Sequence, residues 1–273
     1  MQKYKLLSLL GFLSLLFIVS CTSNTQQTES ETVVKEEKPK EITLTPAPKS
    51  AAFADASIKL EAPLRKDKLK AGDVAFDFTV ENYELGNQTA DAAQKLCANS
   101  AEGQHIHLIL NNQPYSAYYT ADFMKELTDN YYVALAFLSR SYHESIKEKN
   151  AYVLWDFVVG DMKEVPSIDL QAPHMFYSRP KGNYVGEGNI ENILLDFYLT
   201  NVSLSPDGNK VRATIDDKEF MLTSWEPYFI SGLGLGEHTV KLELLDNQNQ
   251  LVQSPFNPVT RKFSLFEDEP LVN

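Results

Sequence analysis

Short runs of alternating hydrophobic and polar residues cover most of the chain after residue 56. Clear examples are Val74–Val80, Ile106–Leu110, Ile193–Leu199 and Val240–Leu244. A period of two places every second side chain on one face of a strand, so each run predicts a half-buried β-strand. Turn-forming segments such as Ser205–Gly208 separate the runs. About seven short strands in about 100 residues are typical of an immunoglobulin-like β-sandwich.

The chain also contains an internal repeat of about 110 residues, which is too long for a solenoid unit and fits a duplicated domain. Its first block, Ser57–Pro63, recurs as Ser167–Pro173 with five of seven positions identical. The later blocks follow in the same order: Asp77–Leu85 with Asp196–Leu204, Gly103–Leu110 with Gly208–Ile215, and Tyr131–Phe137 with His238–Leu244. We therefore expect an all-β protein with two tandem immunoglobulin-like domains, at residues 57–162 and 163–268.

The N-terminal residues have the pattern of a bacterial lipoprotein signal. Lys3 and Lys5 precede the apolar run Leu6–Val19. This run is shorter than a typical membrane-spanning helix and has the length of the hydrophobic region of a signal peptide. Small residues then lead into Cys21, as in the cleavage box at which the new N-terminal cysteine is lipidated. We expect residues 1–20 to be removed and Cys21 to anchor the protein to a membrane of the bacterial cell envelope, the outer membrane.

The segment that follows, residues 21–56, is predicted to be a flexible tether. It is polar, has almost no aromatic residues and shows no periodicity, so it cannot bury enough surface to fold. As a flexible coil, this tether would hold the globular part of the protein clear of the lipid headgroups.

Composition excludes several kinds of partner and chemistry. With 37 Asp and Glu against 25 Lys and Arg, the net charge is −12, which is unfavourable for binding nucleic acid. Besides Cys21 the chain has one further cysteine, Cys97, so no disulfide can form within the mature chain. The sequence has no Gly-x-Ser-x-Gly elbow, no glycine-rich phosphate loop and no metalloprotease helix. We therefore expect a protein that is not an enzyme and has no cofactor.

The two copies of the repeat differ most at one end of the first domain. His105 and His107 occupy strand positions that hold Lys210 and Arg212 in the second copy, and alternation places both imidazoles on one face. The tight turn before this strand is replaced by a long segment, residues 86–103. The sixth strand of the first domain contains residues 131–137. The loop that follows it also differs between the copies, and its polar residues include Arg140, Tyr142 and His143. Antiparallel pairing of these strands would bring the three differences together.

Alternation along the sixth strand assigns its two faces. Val133, Leu135 and Phe137 are expected to point into the first core, as the matched residues do in the second copy. This assignment puts Arg140 on the outer face, together with the two strand histidines. We expect His174 of the second domain to lie far from this site, because tandem domains of this class are joined end to end.

The resulting cluster supports three interpretations. In the first, the imidazoles hydrogen-bond the long loop and only hold it on the sheet. In the second, His105, His107 and His143 bind a zinc or copper ion. In the third, Arg140 binds an anion such as phosphate or a carboxylate, together with neighbouring hydroxyl and imidazole groups that include Tyr142.

Distinctive segments of the globular part are Gly103–Asn111, Ala136–Ser145, Tyr177–Gly182 and Leu195–Leu199. Together they resemble a family of Bacteroidota envelope lipoproteins with tandem immunoglobulin-like domains that are often labelled phosphopeptide-binding. The resemblance spans about residues 57–266. It implies recognition of phosphorylated groups, for which Arg140 is suited.

We therefore expect a lipid-anchored binding protein of the cell envelope, with its ligand site at the loop end of the first domain. The expected ligand is a phosphopeptide or another anionic group, and the expected site residues are His105, His107, Arg140, Tyr142 and His143. The alternatives are a structural module that binds another envelope protein, and a protein that binds zinc or copper through its histidines.

Overall fold

The computed structural model describes residues 41–268, and these belong to one compact unit. The predicted signal peptide, the lipidated Cys21 and the tether up to residue 40 lie outside the described residues. Among the residues described, no helix is long and apolar enough to cross a membrane.

Almost all regular structure is β-strand, as the alternation predicted. In chain order the strands are β1 (Thr43–Pro46), β2 (Ser57–Ala62), β3 (Gly72–Glu81), β4 (His105–Leu110), β5 (Ser116–Tyr118), β6 (Asp122–Leu127), β7 (Asn130–Ser139), β8 (Tyr152–Val159), β9 (His174–Arg179), β10 (Gly182–Val185), β11 (Ile193–Thr200), β12 (Lys210–Ile215), β13 (Lys218–Leu222), β14 (Tyr228–Ser231), β15 (Gly236–Leu245) and β16 (Val259–Phe266). The helical elements are short: a 3-10 turn at Ala92–Gln94 and the α-helix α1 at Glu187–Ile190.

The first sandwich consists of two antiparallel sheets with the strand orders β2-β3-β6 and β5-β4-β7-β8. Its core lies between these sheets. In β3, Val74, Phe76 and Phe78 are buried while the residues between them are exposed, which is the alternation seen in the sequence. These side chains share a core with Ile106 and Leu108 of β4, so the predicted inward faces of both strands are confirmed.

The second sandwich has the strand orders β1-β14-β11-β9 and β10-β16-β15-β12-β13. Its core contains the alternate residues of β12 and β15 that the repeat predicts, including Val211, Ala213, Val240 and Leu242. The two sandwiches confirm the predicted all-β tandem architecture. Strands β2–β8 form the first sandwich and β9–β16 belong to the second, and the predicted position of the boundary between the domains stays a prediction.

The predicted orientation of β7 is wrong by one residue. Ile106 of β4 pairs with Leu138, which therefore enters the first core together with Ala136. The residues expected to point inward instead face away from this core: Val133, Leu135 and Phe137. Apart from its first residue, all of β7 is buried, so hydrophobicity does not distinguish its two faces. A slip of one residue exchanges the faces of a strand completely.

The outward face of β7 is buried because the two sandwiches lie side by side. This face and the neighbouring face of β4 pack against β9 and β11 of the second sandwich. Phe137 stacks on Tyr198 with ring centroids 4.8 Å apart, and Leu135 shares the same cluster with Phe176. Full burial of one such apolar side chain stabilises a fold by about 1.5–3 kcal/mol. The expectation that the domains are joined end to end is therefore wrong.

Residues 43–46, which the sequence assigned to the flexible tether, form the strand β1. This strand pairs antiparallel with β14 and extends the sheet of the second sandwich. Just after β1, Lys95 Nζ donates to the carbonyl oxygens of Pro48 and Lys49, both at 2.9 Å. Main-chain hydrogen bonds to an edge strand need no hydrophobic pattern, so alternation could not predict β1.

Gly232 allows the chain before β1 to approach the end of β14. Its φ is +85°, and a Cβ atom there would collide with the carbonyl oxygen of Glu41. We expect Gly232→Ala to lower the free energy of unfolding by about 1–3 kcal/mol, because it strains the backbone and displaces β1. The measurement is urea unfolding of the full chain. Gly234→Ala is the control, since a Cβ there has no atom within 4 Å, and equal losses for both variants would contradict this role.

Candidate functional site

Three histidines meet where the first sandwich contacts the second. His105 and His107 project from the outer face of β4, and His143 lies in the turn that follows β7. The Nε2 atoms of His105 and His107 are 2.8 Å apart, and His143 Nδ1 lies 3.1 Å from His105 Nε2. One ring nitrogen of each residue is within 4.8 Å of the other two. We call these three residues the His triad.

The turn after β7 holds His143 in an uncommon backbone conformation. The N–H of Arg140 donates to the carbonyl of Glu144, and the N–H of His143 donates to the carbonyl of Arg140, both at 2.9 Å. Within this turn the φ of His143 is +66°, in the left-handed region that costs a non-glycine residue about 1–2 kcal/mol. Such conformations persist where the surrounding structure and the side chain require them. Here the side chain is the third member of the triad.

The hydrogen bond of His105 to the backbone defines its tautomer. His105 Nδ1 lies 2.7 Å from the carbonyl oxygen of Gly103, and a carbonyl only accepts, so Nδ1 carries the proton. In a neutral ring, Nε2 then has a free lone pair. This one lone pair faces nitrogens of both His107 and His143. Because a lone pair accepts one well-directed hydrogen bond, the two contacts cannot both be good hydrogen bonds.

Burial keeps the triad neutral. His105 and His107 are fully buried, and His143 is half-buried. Burial lowers the pKa of His105 to about 4, with a smaller contribution in the same direction from Arg179. Burial also holds the pKa values of His107 and His143 well below 6.5, and their neighbouring cations and imidazoles add to the effect. Neutral imidazole is the form that binds metal ions.

The second sandwich and the β4–β5 turn complete the site. Ser178 Oγ, on β9, lies 3.3 Å from His107 Nδ1, and the Tyr115 ring stacks on the His107 ring with centroids 3.6 Å apart. The Lys181 ammonium and the Arg179 guanidinium lie 4.2 and 5.4 Å from the Tyr115 ring centroid. Arg179 and Lys181 belong to the distinctive segment Tyr177–Gly182. The position of this segment beside the triad follows only from the side-by-side packing of the two sandwiches.

Arg140 is engaged by protein acceptors and does not contact the His triad. Its Nη1 atom pairs with Glu144 Oε1 at 3.1 Å, and its Nη2 atom donates to the carbonyl of Ala51 at 2.6 Å. The guanidinium also lies 5.4 Å from the ring centroid of Phe53. Two of its three nitrogens are therefore bonded to protein acceptors. The expected position of Arg140 on the face of the histidines is wrong, because the faces of β7 were assigned with an error of one residue.

Tyr142 also points away from the His triad. Its hydroxyl donates to Asp91 Oδ1 at 3.1 Å, and its ring packs in a small cluster with Cys97, Leu194 and Phe229. The residue is almost fully buried. Of the five residues predicted for the ligand site, the structure thus brings together the three histidines, while Tyr142 and Arg140 hold the long loop and the segment after β1.

The histidines outside the triad make structural contacts. His174 Nδ1 and Nε2 lie 2.8 Å from Ser254 Oγ and the carbonyl of Asp169. His238 likewise contacts Asp216 Oδ2 at 2.9 Å and the carbonyl of Gly234 at 2.8 Å. Both ring nitrogens of each residue are thus engaged by protein atoms.

We expect the metal-free protein to lose stability as the pH falls from about 6.5 towards 4. An unfolded histidine titrates near 6.5 and His105 in the folded protein has a pKa of about 4, so the unfolded state binds the proton first. Between about pH 7 and about pH 5, His105 alone should lower the free energy of unfolding by roughly 2 kcal/mol. Urea unfolding with a chelator present measures this loss. His105→Asn removes the titrating imidazole but keeps a donor for the Gly103 carbonyl. If this variant loses as much unfolding free energy over the same pH range as the parent protein does, the assignment of the loss to His105 is refuted.

No protein-family model matches this sequence, and no curated protein matches it. The chain is similar in structure to the fibronectin(III)-like modules of CbhA from Clostridium thermocellum, at 12% identity and a TM-score of 0.28, over 79% of this chain and 97% of that chain. It is also similar to the central fibronectin-III array of RIM-binding protein, at 9% identity and a TM-score of 0.25, over 83% and 71% of the two chains. A third similar structure is SGBP-B of the Bacteroides ovatus mixed-linkage glucan utilization locus, solved with a mixed-linkage heptasaccharide, at 8% identity and a TM-score of 0.22, over 77% and 70%. Membership of the Bacteroidota lipoprotein family stays a prediction.

Proposed function

We propose that this protein binds one copper or zinc ion through His105, His107 and His143. The observation that carries the proposal is the convergence of three neutral imidazole nitrogens within 4.8 Å of one another. Imidazole nitrogen is a preferred ligand of both metals, and three histidines are an established protein ligand set for zinc. Metal binding was one of the alternatives that the sequence left open. Because Arg140 does not lie at the site, we consider metal binding the best-supported function.

Two of the three nitrogen–nitrogen distances in the triad are close to those of a metal-bound set, and the third is no more than 4.8 Å. Zinc–nitrogen bonds are about 2.0–2.1 Å long, so two nitrogens of a tetrahedral site lie about 3.3 Å apart. The separations of 2.8 and 3.1 Å observed here require a small expansion. A metal ion between the rings would also resolve the conflict over the His105 lone pair, because each nitrogen would direct its own lone pair at the ion.

The hydrogen bonds of the ring nitrogens that face away from the centre of the triad also favour metal binding. The Gly103 carbonyl orients His105 so that its Nε2 faces the other two rings. Ser178 Oγ can accept a hydrogen bond from His107 Nδ1, which frees the Nε2 atom of His107 for a metal ion. Metal-binding histidines commonly donate their other N–H to a carbonyl or a similar acceptor, and this contact fixes the ring and raises its basicity.

The cations near the triad affect which ion binds. Arg179 and Lys181 lower the pKa values of His107 and His143, and they oppose a positive ion in the same way. A singly charged copper ion, or a divalent ion with an anion in the fourth position, reduces this repulsion. The site therefore favours Cu⁺ or a metal–anion pair over an isolated divalent ion.

The wider setting is part of the proposal. We infer a lipid-anchored protein of the bacterial cell envelope, on the basis of the signal pattern and Cys21. His105 and His107 are fully buried, which leaves little access for a substrate, so the proposed role is binding rather than catalysis. An ion in the triad would also link the sandwiches, because Ser178 of the second sandwich orients a ligand from the first.

We expect the full chain, purified in a mild detergent and stripped with a chelator, to bind one equivalent of Cu⁺ or Zn²⁺ and to gain melting temperature as it does so. Co²⁺ serves as a spectroscopic probe, because a tetrahedral site gives it strong visible absorption. His105→Asn keeps the contact with Gly103 but removes Nε2, and should weaken binding by more than about 100-fold.

The control for this experiment is His238→Asn, which removes a histidine outside the triad and should leave metal affinity unchanged. Binding of one equivalent that His105→Asn does not weaken would place the metal elsewhere. Absence of saturable binding in the folded parent protein would instead make the triad an architectural cluster.

Ser178→Ala tests whether the second sandwich orients the metal ligands. Loss of the hydroxyl leaves His107 Nδ1 without its partner, so we expect metal affinity to fall by about 10-fold. The measurement is competition with a chromophoric chelator. Ser254→Ala is the matched control, since Ser254 contacts His174 in the same way outside the triad, and an equal fall in both variants would contradict the proposed role of Ser178.

A further inference from the structure

A second site lies close to the His triad, in a cavity of about 250 Å³ between the two sandwiches. Pro114 contributes from the β4–β5 turn of the first sandwich, and Tyr177 and Pro180 contribute from β9 and the turn after it. These residues give the cavity mainly apolar walls. Three cations also line it: Lys181, Arg261 and Lys262. Lys262 pairs with Glu237 at 2.6 Å.

Lys181 and Arg261, by contrast, have no acidic partner among the described residues. Among residues 41–268, no Asp or Glu oxygen lies within ion-pair distance of Lys181 or Arg261, although ion pairs form around many other basic residues, including Arg140, Lys147 and Arg212. This is unexpected in a chain that has 37 acidic and 25 basic residues. The cavity is therefore a local positive site on an acidic protein.

The hydrogen bonds of the two cations leave donors free. Lys181 Nζ donates to the carbonyl of Tyr115 at 2.6 Å, which uses one of its three N–H groups. Arg261 donates through Nη1 to the Thr260 carbonyl at 2.9 Å and through Nη2 to the Asn112 carbonyl. One N–H remains on each Nη atom. These contacts hold both side chains in place without neutralising their charge.

The positive charge at the cavity is only partly hydrated. Burial lowers the pKa of Lys181, and repulsion from Arg179 and Lys125 adds to this effect. Burial also lowers the pKa of Arg261. A charge that loses hydration without gaining a counter-ion destabilises the structure, so a bound anion would be stabilising.

We propose that this cavity binds the carboxylate of a small, largely apolar organic acid. The carboxylate lies between Lys181 and Arg261, and the apolar part of the acid packs against Pro114, Tyr177 and Pro180. A carboxylate has two oxygens, which the remaining donors can satisfy, whereas a phosphate monoester brings more oxygens and a higher cost of desolvation between apolar walls. None of the triad residues lines the cavity, although Ser178, which contacts His107, does. Ligand binding to the chelator-treated chain therefore tests this proposal separately from the proposed metal site.

The test is titration calorimetry on the full, chelator-treated chain in mild detergent, with benzoate, phenyl phosphate and phenol as probes at equal ionic strength. We expect saturable binding of benzoate, weaker binding of phenyl phosphate and little binding of phenol. Arg261→Gln and Lys181→Gln should each weaken benzoate binding by about 10-fold, because each removes a charged donor. Arg261→Lys, which keeps the charge, should lose less than Arg261→Gln.

Lys66→Gln is the control, because it removes one positive charge at an exposed position of the first sandwich. Absence of saturable benzoate binding to the folded parent protein would overturn the proposal, and so would equal affinity in the parent and in both glutamine variants. Tighter binding of phenyl phosphate than of benzoate would overturn the preference for a carboxylate. If Arg261→Gln fails to fold, Lys181→Gln decides the outcome.

Discussion

Burial of β7 on both faces is the constraint on which most of this structure depends. One face, with Ala136 and Leu138, completes the core of the first sandwich. The other face, with Leu135 and Phe137, is covered by the second sandwich. A strand with two apolar faces cannot leave either of them in water without losing much of its hydrophobic stabilisation. The second sandwich must therefore lie against the first, side by side, and the junction becomes part of the protein interior.

Polar groups buried in such a junction need hydrogen-bond partners, and the contacts of Asp196 and of the His triad reflect this requirement. Asp196 is fully buried there, where it accepts hydrogen bonds from Lys147 Nζ at 2.6 Å and Ser145 Oγ at 3.0 Å across the junction. The His triad lies at the same junction, where Ser178 and the Tyr115 ring cover His107. Within the triad, the one free lone pair of His105 faces ring nitrogens of both His107 and His143. A bound metal ion would satisfy it, whereas a purely architectural cluster leaves this conflict in place.

The two copies of the repeat show how one strand position acquires different chemistry. In the second sandwich, the strand that matches β4 carries Arg212, which pairs with Glu243 at 2.8 Å on the outer face of the sheet. In the first sandwich, the equivalent face is covered, and His107 takes that position. A charged pair is tolerated where water can reach it, and a neutral imidazole is tolerated where water cannot. Burial by the partner sandwich therefore explains why the duplicated strands carry different residues.

The sequence by itself determined the all-β class, the duplication, most core faces and the placement of His105 and His107 on one side of β4. The duplication is visible as recurring sequence blocks. The other features depend on period-two alternation, a local pattern that can be recognised in the sequence alone. Only the tertiary structure decided the orientation of β7, because alternation disappears in a strand buried on both faces. It also decided the pairing of β1, which relies on main-chain hydrogen bonds, and the approach of Ser178 and Arg179 to the triad. Contacts between sandwiches join residues far apart in the chain, so no local pattern specifies them.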